Sequence, residues 1–170
     1  MSAEVPAQLD AWRMVAARLR FEGGLALAGM SRLRDLLADA EGEARYVIEF
    51  DRDAMQVPFV ALRVEADLPL ICQRSLQRFL LPVTLDQRFG LVSGDDEADE
   101  AALPPGYEAL QVGEDGHIDP RALVEDELIL AVPLVPVMPG SEAVEREWVP
   151  EPEEAAKANP FSALASLKKN

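Results

Sequence analysis

The chain of 170 residues carries 16 Lys and Arg against 31 Asp and Glu, a formal net charge of −15. That balance argues against a free-standing nucleic-acid clamp, whose affinity for phosphate comes mainly from Lys and Arg. Apolar residues make up 49% of the chain, a globular composition of a size that folds as one domain without disulfides or metal.

The first predicted element is a helix from Pro6 to Phe21. There Leu9, Trp12, Val15, Ala16 and Leu19 recur every three or four positions, and Gly23 and Gly24 end the run. Ser31 offers an N-cap for a second helix, in which Leu33, Leu36, Leu37 and Ala40 follow the same rule until Gly42. The period then falls to two. Tyr46, Ile48 and Phe50 alternate with Arg45, Val47 and Glu49, and Val60, Leu62, Val64 and Ala66 alternate with Ala61, Arg63 and Glu65. Val83, Leu85, Phe89 and Leu91 mark a third strand after Pro82, and the short connections fit an antiparallel meander better than βαβ units.

Residues 93–106 concentrate acids, small residues and prolines, which predicts an acidic loop. A short strand at Glu108 to Val112 and a Gly-Glu-Asp-Gly turn lead to Asp119-Pro120, a cap followed by proline at the first helical position. That helix turns Leu123, Val124, Leu128 and Ala131 inward and runs out at Pro133. Beyond a Pro/Glu-rich stretch, Asn159-Pro160 opens a last short helix ending in Lys168 and Lys169. The expectation is a single α+β domain, helices packed on an antiparallel sheet. Its ordered core spans about residues 8–140, followed by an acidic linker at 141–158 and a C-terminal helix at 159–170.

Charge is unevenly spread: residues 1–90 hold 11 Arg and 13 acids, whereas residues 91–170 hold 5 basic residues and 18 acids. Two surfaces with different electrostatic roles, or simply a solvated acidic loop, would produce this split. Glu125-Asp126-Glu127 forms an acidic run, but successive helical residues point about 100° apart, so the three cannot all line one site. The run is either the solvated face of a helix or a contact for a basic partner, a protein or metal-bridged RNA. Arg74, at the predicted end of the second strand, is placed for a structural or partner-facing ion pair, since its planar fork binds one carboxylate through two hydrogen bonds. In the last helix Phe161 is a candidate aromatic anchor, with Lys168 and Lys169 available to RNA or an acidic surface.

His117 is the only histidine and Cys72 the only cysteine, and neither stands in a nucleophile–base motif. No Gly-rich phosphate loop occurs. The expectation is therefore no enzyme, no cofactor and no bound metal. The N-terminus lacks a basic or apolar targeting region, and no apolar run approaches the roughly 18 residues that span a bilayer, which predicts a cytoplasmic protein.

Several segments together resemble the YceD family, the large ribosomal RNA subunit accumulation proteins. They are Leu9-Asp10 with Ala16-Ala17-Arg18-Leu19 and Phe21-Glu22-Gly23; Cys72-Gln73-Arg74; Leu103-Pro104 with Tyr107-Glu108; and Gly116-His117-Ile118-Asp119. The run Val124 to Pro133 with Val135-Pro136-Val137, and the ending from Asn159-Pro160-Phe161 to Lys168, are the most specific. The resemblance implies a non-enzymatic role in synthesis, processing or stability of the large-subunit (23S) ribosomal RNA. Some relatives carry a second Cys where this chain has Ser75, and further His and Cys residues where it reads Met138-Pro139-Gly140.

With a net charge of −15, the expected partner is a basic one, a large-subunit ribosomal protein or an rRNA-processing factor, with rRNA contact at most indirect or weak and no membrane or DNA contact. The residues expected to meet it are Arg74, Glu125, Asp126, Glu127, Asn159, Pro160, Phe161, Lys168 and Lys169. The competing expectation is an RNA-binding module using Arg13, Arg18, Arg20, Arg32 and Arg34.

Overall fold

Period-two alternation builds the centre of the molecule. A computed structural model describes residues 6–93 and 103–141. In it, β3 (Glu43–Arg52) turns Ala44, Tyr46, Ile48 and Phe50 into the core, and β4 (Pro58–Ile71) turns in Val60, Leu62, Val64 and Ala66. The intervening residues, among them Arg45, Glu49, Arg63 and Glu65, face the other side of the sheet. The strand order of this five-stranded sheet is β2-β3-β4-β5-β6, with β2 at Arg20–Ala26, β5 at Arg78–Ser93 and β6 at Glu108–Val112. A second sheet of two short strands joins β1 (Leu9–Asp10) to β7 (His117–Ile118), a pairing the sequence did not announce.

The α+β class expected from the sequence is the one observed, with one topological correction. Pairing is antiparallel from β2 through β5, but β5 and β6 are parallel, Phe89 facing Glu108 and Ser93 facing Val112. Parallel neighbours need a crossover of roughly a dozen residues or more. The 14 residues between Ser93 and Glu108 meet that requirement.

The first predicted helix is shorter than its apolar spacing suggested. α1 spans Ala11–Ala17, capped by Asp10, whose carboxylate accepts the Arg13 N–H at 3.0 Å, and closed by Arg18 in the left-handed conformation at φ 51°. The chain then joins the edge of β3, with the Phe50 N–H donating to the Leu19 carbonyl at 2.9 Å. Gly23 and Gly24 lie inside β2 rather than ending a helix. A Cβ at Gly23 would stand 2.9 Å from the Tyr46 hydroxyl, and one at Gly24 would overlap the Glu43 side chain.

The second predicted helix is reduced to one turn, α2 (Ser31–Arg34), preceded by a 3-10 turn at Leu27–Gly29. Ser31 is its first residue and not its cap. Beyond Arg34 the backbone is drawn toward the sheet, where the Ala38 N–H donates to the Pro69 carbonyl at 2.8 Å and Asp39 pairs with Arg78. Pro82 likewise lies within β5, not before it. β6 pairs with β5 only from Phe89 onward, so Pro82 sits on a locally unpaired edge where its missing N–H costs no ladder bond. α3 (Pro120–Ala131) matches expectation: Asp119 accepts the Arg121 and Ala122 N–H groups at 2.9 and 3.1 Å, and Leu123, Val124 and Leu128 are buried.

The described residues up to Pro139 belong to one compact unit, and Gly140 and Ser141 fall outside it. Most of the predicted acidic loop (94–102), the linker beyond Ser141 and the helix at 159–170 lie outside the described residues. No helix among the described residues is long and apolar enough to cross a membrane.

Gly116 anchors the N-terminal segment. Its carbonyl accepts the Ala11 N–H at 2.9 Å, its φ is +73°, and a Cβ there would stand 3.3 Å from the Trp12 ring. Gly116→Val should therefore lower unfolding free energy by about 2 kcal/mol in denaturant titration, through backbone strain and displacement of Trp12. Gly113→Ala, at an ordinary φ, should cost less than about 1 kcal/mol.

Candidate functional site

α3 carries the acidic run singled out from the sequence, and its three carboxylates meet three different environments. Glu125 is 12% exposed and closes the N-terminus of α2: one oxygen accepts the Arg32 N–H at 2.7 Å and the Leu33 N–H at 3.1 Å. Its other oxygen accepts the Arg32 guanidinium at 3.2 Å. The cap that α2 lacks locally, since Met30 offers no side-chain oxygen, thus arrives from 93 residues away. Burial would push the Glu125 carboxyl up, but the Leu33 and Arg32 backbone donors and the guanidinium outweigh it and hold the group below the usual range. Asp126 takes the other arm of Arg32, and its hydrogen bond, with that of Glu125, raises the guanidinium above its ordinary value.

Glu127 is the exception. It is 6% exposed, lies on the buried stripe of α3 with Leu123, Val124 and Leu128, and makes no hydrogen bond or ion pair among the described residues. Desolvation, the Glu108 charge on β6 and the Asp126 charge together push its carboxyl up.

The outer face of the sheet bears most of the arginines, and cross-strand acids answer them. Arg18 pairs with Asp51 at 3.2 Å, Arg20 with Glu49 at 2.9 Å, Arg45 with Glu65 at 3.3 Å, and Arg63 with Asp86 at 3.0 Å. Arg78 pairs with Asp39, and Arg88 lies over the Phe59 ring, 5.1 Å from its centre. These solvated pairs contribute little stability each. Their consequence is electrostatic, because an acid of the same chain already offsets each of these paired guanidinium groups. Of the five arginines proposed for RNA contact, Arg18, Arg20 and Arg32 are engaged in this way, whereas Arg13 and Arg34 form no ion pair among the described residues.

Two further clusters were not legible from periodicity. At one end of the outer face, Leu103 covers Gly90, leaving no room for a Cβ, and Tyr107 packs edge-on to Phe59 while donating its hydroxyl to Asp53 at 3.0 Å. Desolvation would raise the Asp53 carboxyl, but Val57 N–H, Tyr107 O–H and Met55 N–H overcome it and hold the group down. At the β4–β5 turn, buried Cys72 accepts the Ser75 N–H at 3.5 Å and the Met138 N–H at 3.3 Å through Sγ, and the Gln73 N–H reaches the Pro136 carbonyl at 2.9 Å. Arg74 is exposed in this turn. His117 Nδ1 stands 3.6 Å from Asp115. No group of three or more His, Cys, Asp or Glu among the described residues is arranged to hold a metal ion. Asn159, Pro160, Phe161, Lys168 and Lys169 lie outside the described residues.

The sequence match to known proteins agrees with this pattern of segments. The model of the family described as large ribosomal RNA subunit accumulation protein YceD matches residues 60–168. The chain belongs to the YceD family. It is similar to the large ribosomal RNA subunit accumulation protein YceD of Haemophilus influenzae, 34% identical over 171 residues and covering 97% of each chain. No solved structure matches. Among the described residues, several segments that carried the YceD resemblance are joints of the fold: the Cys72-Gln73 turn gripping Pro136 and Met138, Tyr107 on Asp53, Gly116 under Trp12, and Glu125 capping α2.

Glu125→Ala should cost about 2 kcal/mol in equilibrium unfolding, since two N–H donors and a guanidinium lose their acceptor together. Arg32→Ala, at a half-exposed position, should cost under about 1 kcal/mol. The pH dependence follows from the lowered Glu125 carboxyl. Its contribution is complete above the ordinary glutamate range and is lost as pH falls through the lower value it has in the folded chain. In Glu125→Ala, an acid titration of the melting temperature should be flatter over that interval.

Proposed function

We propose that this YceD-family chain is a non-enzymatic, cytoplasmic accessory factor for accumulation of large-subunit (23S) ribosomal RNA. It supports synthesis, processing or stability of that RNA by binding a basic protein, a large-subunit ribosomal protein or an rRNA-processing factor. The family match and the relative's name support the RNA that is served. Charge supports the partner. The described residues hold 12 Arg and no Lys against 19 acids, and six of those arginines are held in ion pairs with acids of the same chain. What remains to face outward is a negative field, which attracts a Lys/Arg-rich protein and repels phosphate.

The observation that carries this reading is the neutralisation of Arg18, Arg20 and Arg32, which would have to form the basic stripe of the competing RNA-binding module.

Purification of the tagged full chain from its own cells should bring down a basic large-subunit protein that survives nuclease treatment and is released by rising salt. Arg13→Glu with Arg34→Glu should leave that association unchanged. Comigration with ribosomal RNA that disappears on nuclease treatment, or that is lost in the double variant, would overturn the reading in favour of direct RNA contact.

A further inference from the structure

Acids on the sheet follow a rule that two of them break. β2 to β5 carry seven acids, and five of these, Glu22, Glu49, Asp51, Glu65 and Asp86, sit in ion pairs with arginines. Glu43 and Asp67 are exposed, and their side chains make no hydrogen bond or ion pair among the described residues. The register that sets Arg45 opposite Glu65, continued by one outward-facing residue on each strand, sets these two acids opposite one another. Like charges so placed destabilise a strand pair. The Glu43 carboxylate lies across Gly24 of β2, on the ground that a Cβ there would occupy.

Two grooves on the outer face meet at this pair. The larger, about 560 Å³, runs from Glu43 and Asp67 to Arg45, Glu65, Pro82 and Thr84. The smaller, about 330 Å³, runs from the same two acids to Glu41, Gly42, Arg78 and Leu80. Both guanidinium groups in this trough are committed, Arg45 to Glu65 and Arg78 to Asp39 and Glu41. Its side on β5 is apolar: Pro82 stands directly opposite Asp67, and Leu80, two residues along on the same face, is 50% exposed. Unanswered carboxylates beside exposed aliphatic carbon suit a lysine or arginine side chain, whose stem covers apolar surface while its head meets the charge. A metal ion suits them less, since no three acids among the described residues are arranged to hold one. The chain's own acid-rich stretches carry the wrong sign. Residues 94–102 hold five acids and no Lys or Arg, and residues 142–158 hold six acids and two basic residues.

We propose that the outer-face trough at Glu43 and Asp67 is the docking site for a Lys- or Arg-bearing segment of a protein partner. The cation sits between the two carboxylates, and its aliphatic stem lies on Pro82 and Leu80. Bound there, it replaces a like-charge contact between β3 and β4 with two opposite-charge contacts, as the arginines of the chain do along the rest of these strands. The inference rests on the reading of a basic protein partner and gives it a location.

The test uses the isotopically labelled full chain, at low salt, with a synthetic peptide of alternating lysine and alanine and a glutamate–alanine peptide for comparison. The lysine peptide should shift amide resonances of residues 41–45, 65–68 and 80–84, and the glutamate peptide should not. Glu43→Gln with Asp67→Asn should weaken lysine-peptide binding about tenfold without lowering the melting temperature, because it removes two facing like charges from the surface. Glu108→Gln with Glu114→Gln removes the same charge from exposed positions elsewhere and should leave the affinity within about twofold. Absence of shifts, shifts centred elsewhere, or equal weakening by the two double variants would overturn the site. Binding that appears only after Lys168→Ala with Lys169→Ala would overturn the partner as occupant in favour of the chain's own basic end. If the cellular basic partner is still retained by Glu43→Gln with Asp67→Asn, the site fails and the partner reading stands. If wild type retains no basic protein, the partner reading fails and takes the site with it.

Discussion

The carboxylate of Glu125 is the interaction on which the helical layer depends. α2 has four residues, too few to be stable by its own hydrogen bonds, and its preceding residue Met30 cannot cap it. By accepting the Arg32 and Leu33 N–H groups, Glu125 fixes where that turn forms, and Leu33 is then held fully buried. The same bond fixes the rotation of α3. Asp119 sets where α3 begins, Glu125 points toward α2, and the helical repeat then turns Glu127 toward the sheet. An apolar residue would settle at position 127 without penalty, so the buried acid there is a cost the scaffold could avoid.

A second constraint is electrostatic. A chain at −15 repels itself, and cross-strand pairing of the sheet arginines offsets part of that repulsion while favouring one register, since a slip by one residue would send each arginine to the buried face. The cation–π seat of Arg88 on Phe59 and the bond from Arg52 to the Gln56 carbonyl place two further guanidinium groups on neutral partners. Among the described residues most arginines are therefore engaged by partners in the same fold.

Legibility in the sequence followed the range of the forces. β3 and β4 were readable because one buried face imposes strict alternation over eight or more residues, and α3 because its cap, its proline and its apolar stripe agree. α1 and α2 were over-extended for one reason: apolar spacing of three and four also fits a helical turn followed by a strand or loop, and the decision is made by partners distant in sequence. For the first it was the β3 edge at Phe50, for the second Pro69, Arg78 and Glu125. Pro82 was read as a boundary because its lack of a donor is local knowledge, whereas the absence of a neighbouring strand there is not. The acids of α3 were legible as a run, and their division into a cap, a guanidinium clamp and an unpaired buried group was not, since it depends on what Arg32 and Glu108 bring from other elements.

The segments that mark this chain as YceD-like therefore separate into two kinds. Cys72, Gln73, Leu103, Tyr107, Gly116 and Glu125 have physical explanations complete within the fold: each supplies a hydrogen bond, a filled hole or a backbone conformation that a neighbouring element requires. A residue whose chemistry is consumed in this way marks ancestry and shape, and says little about what the surface meets. Glu127 is of the other kind, because its surroundings raise its energy and nothing in the described residues recovers it. Since every side-chain polar atom sealed from solvent among the described residues has a partner, the Glu127 carboxylate is not fully sealed, and it keeps the contact with water that the joints of the fold give up.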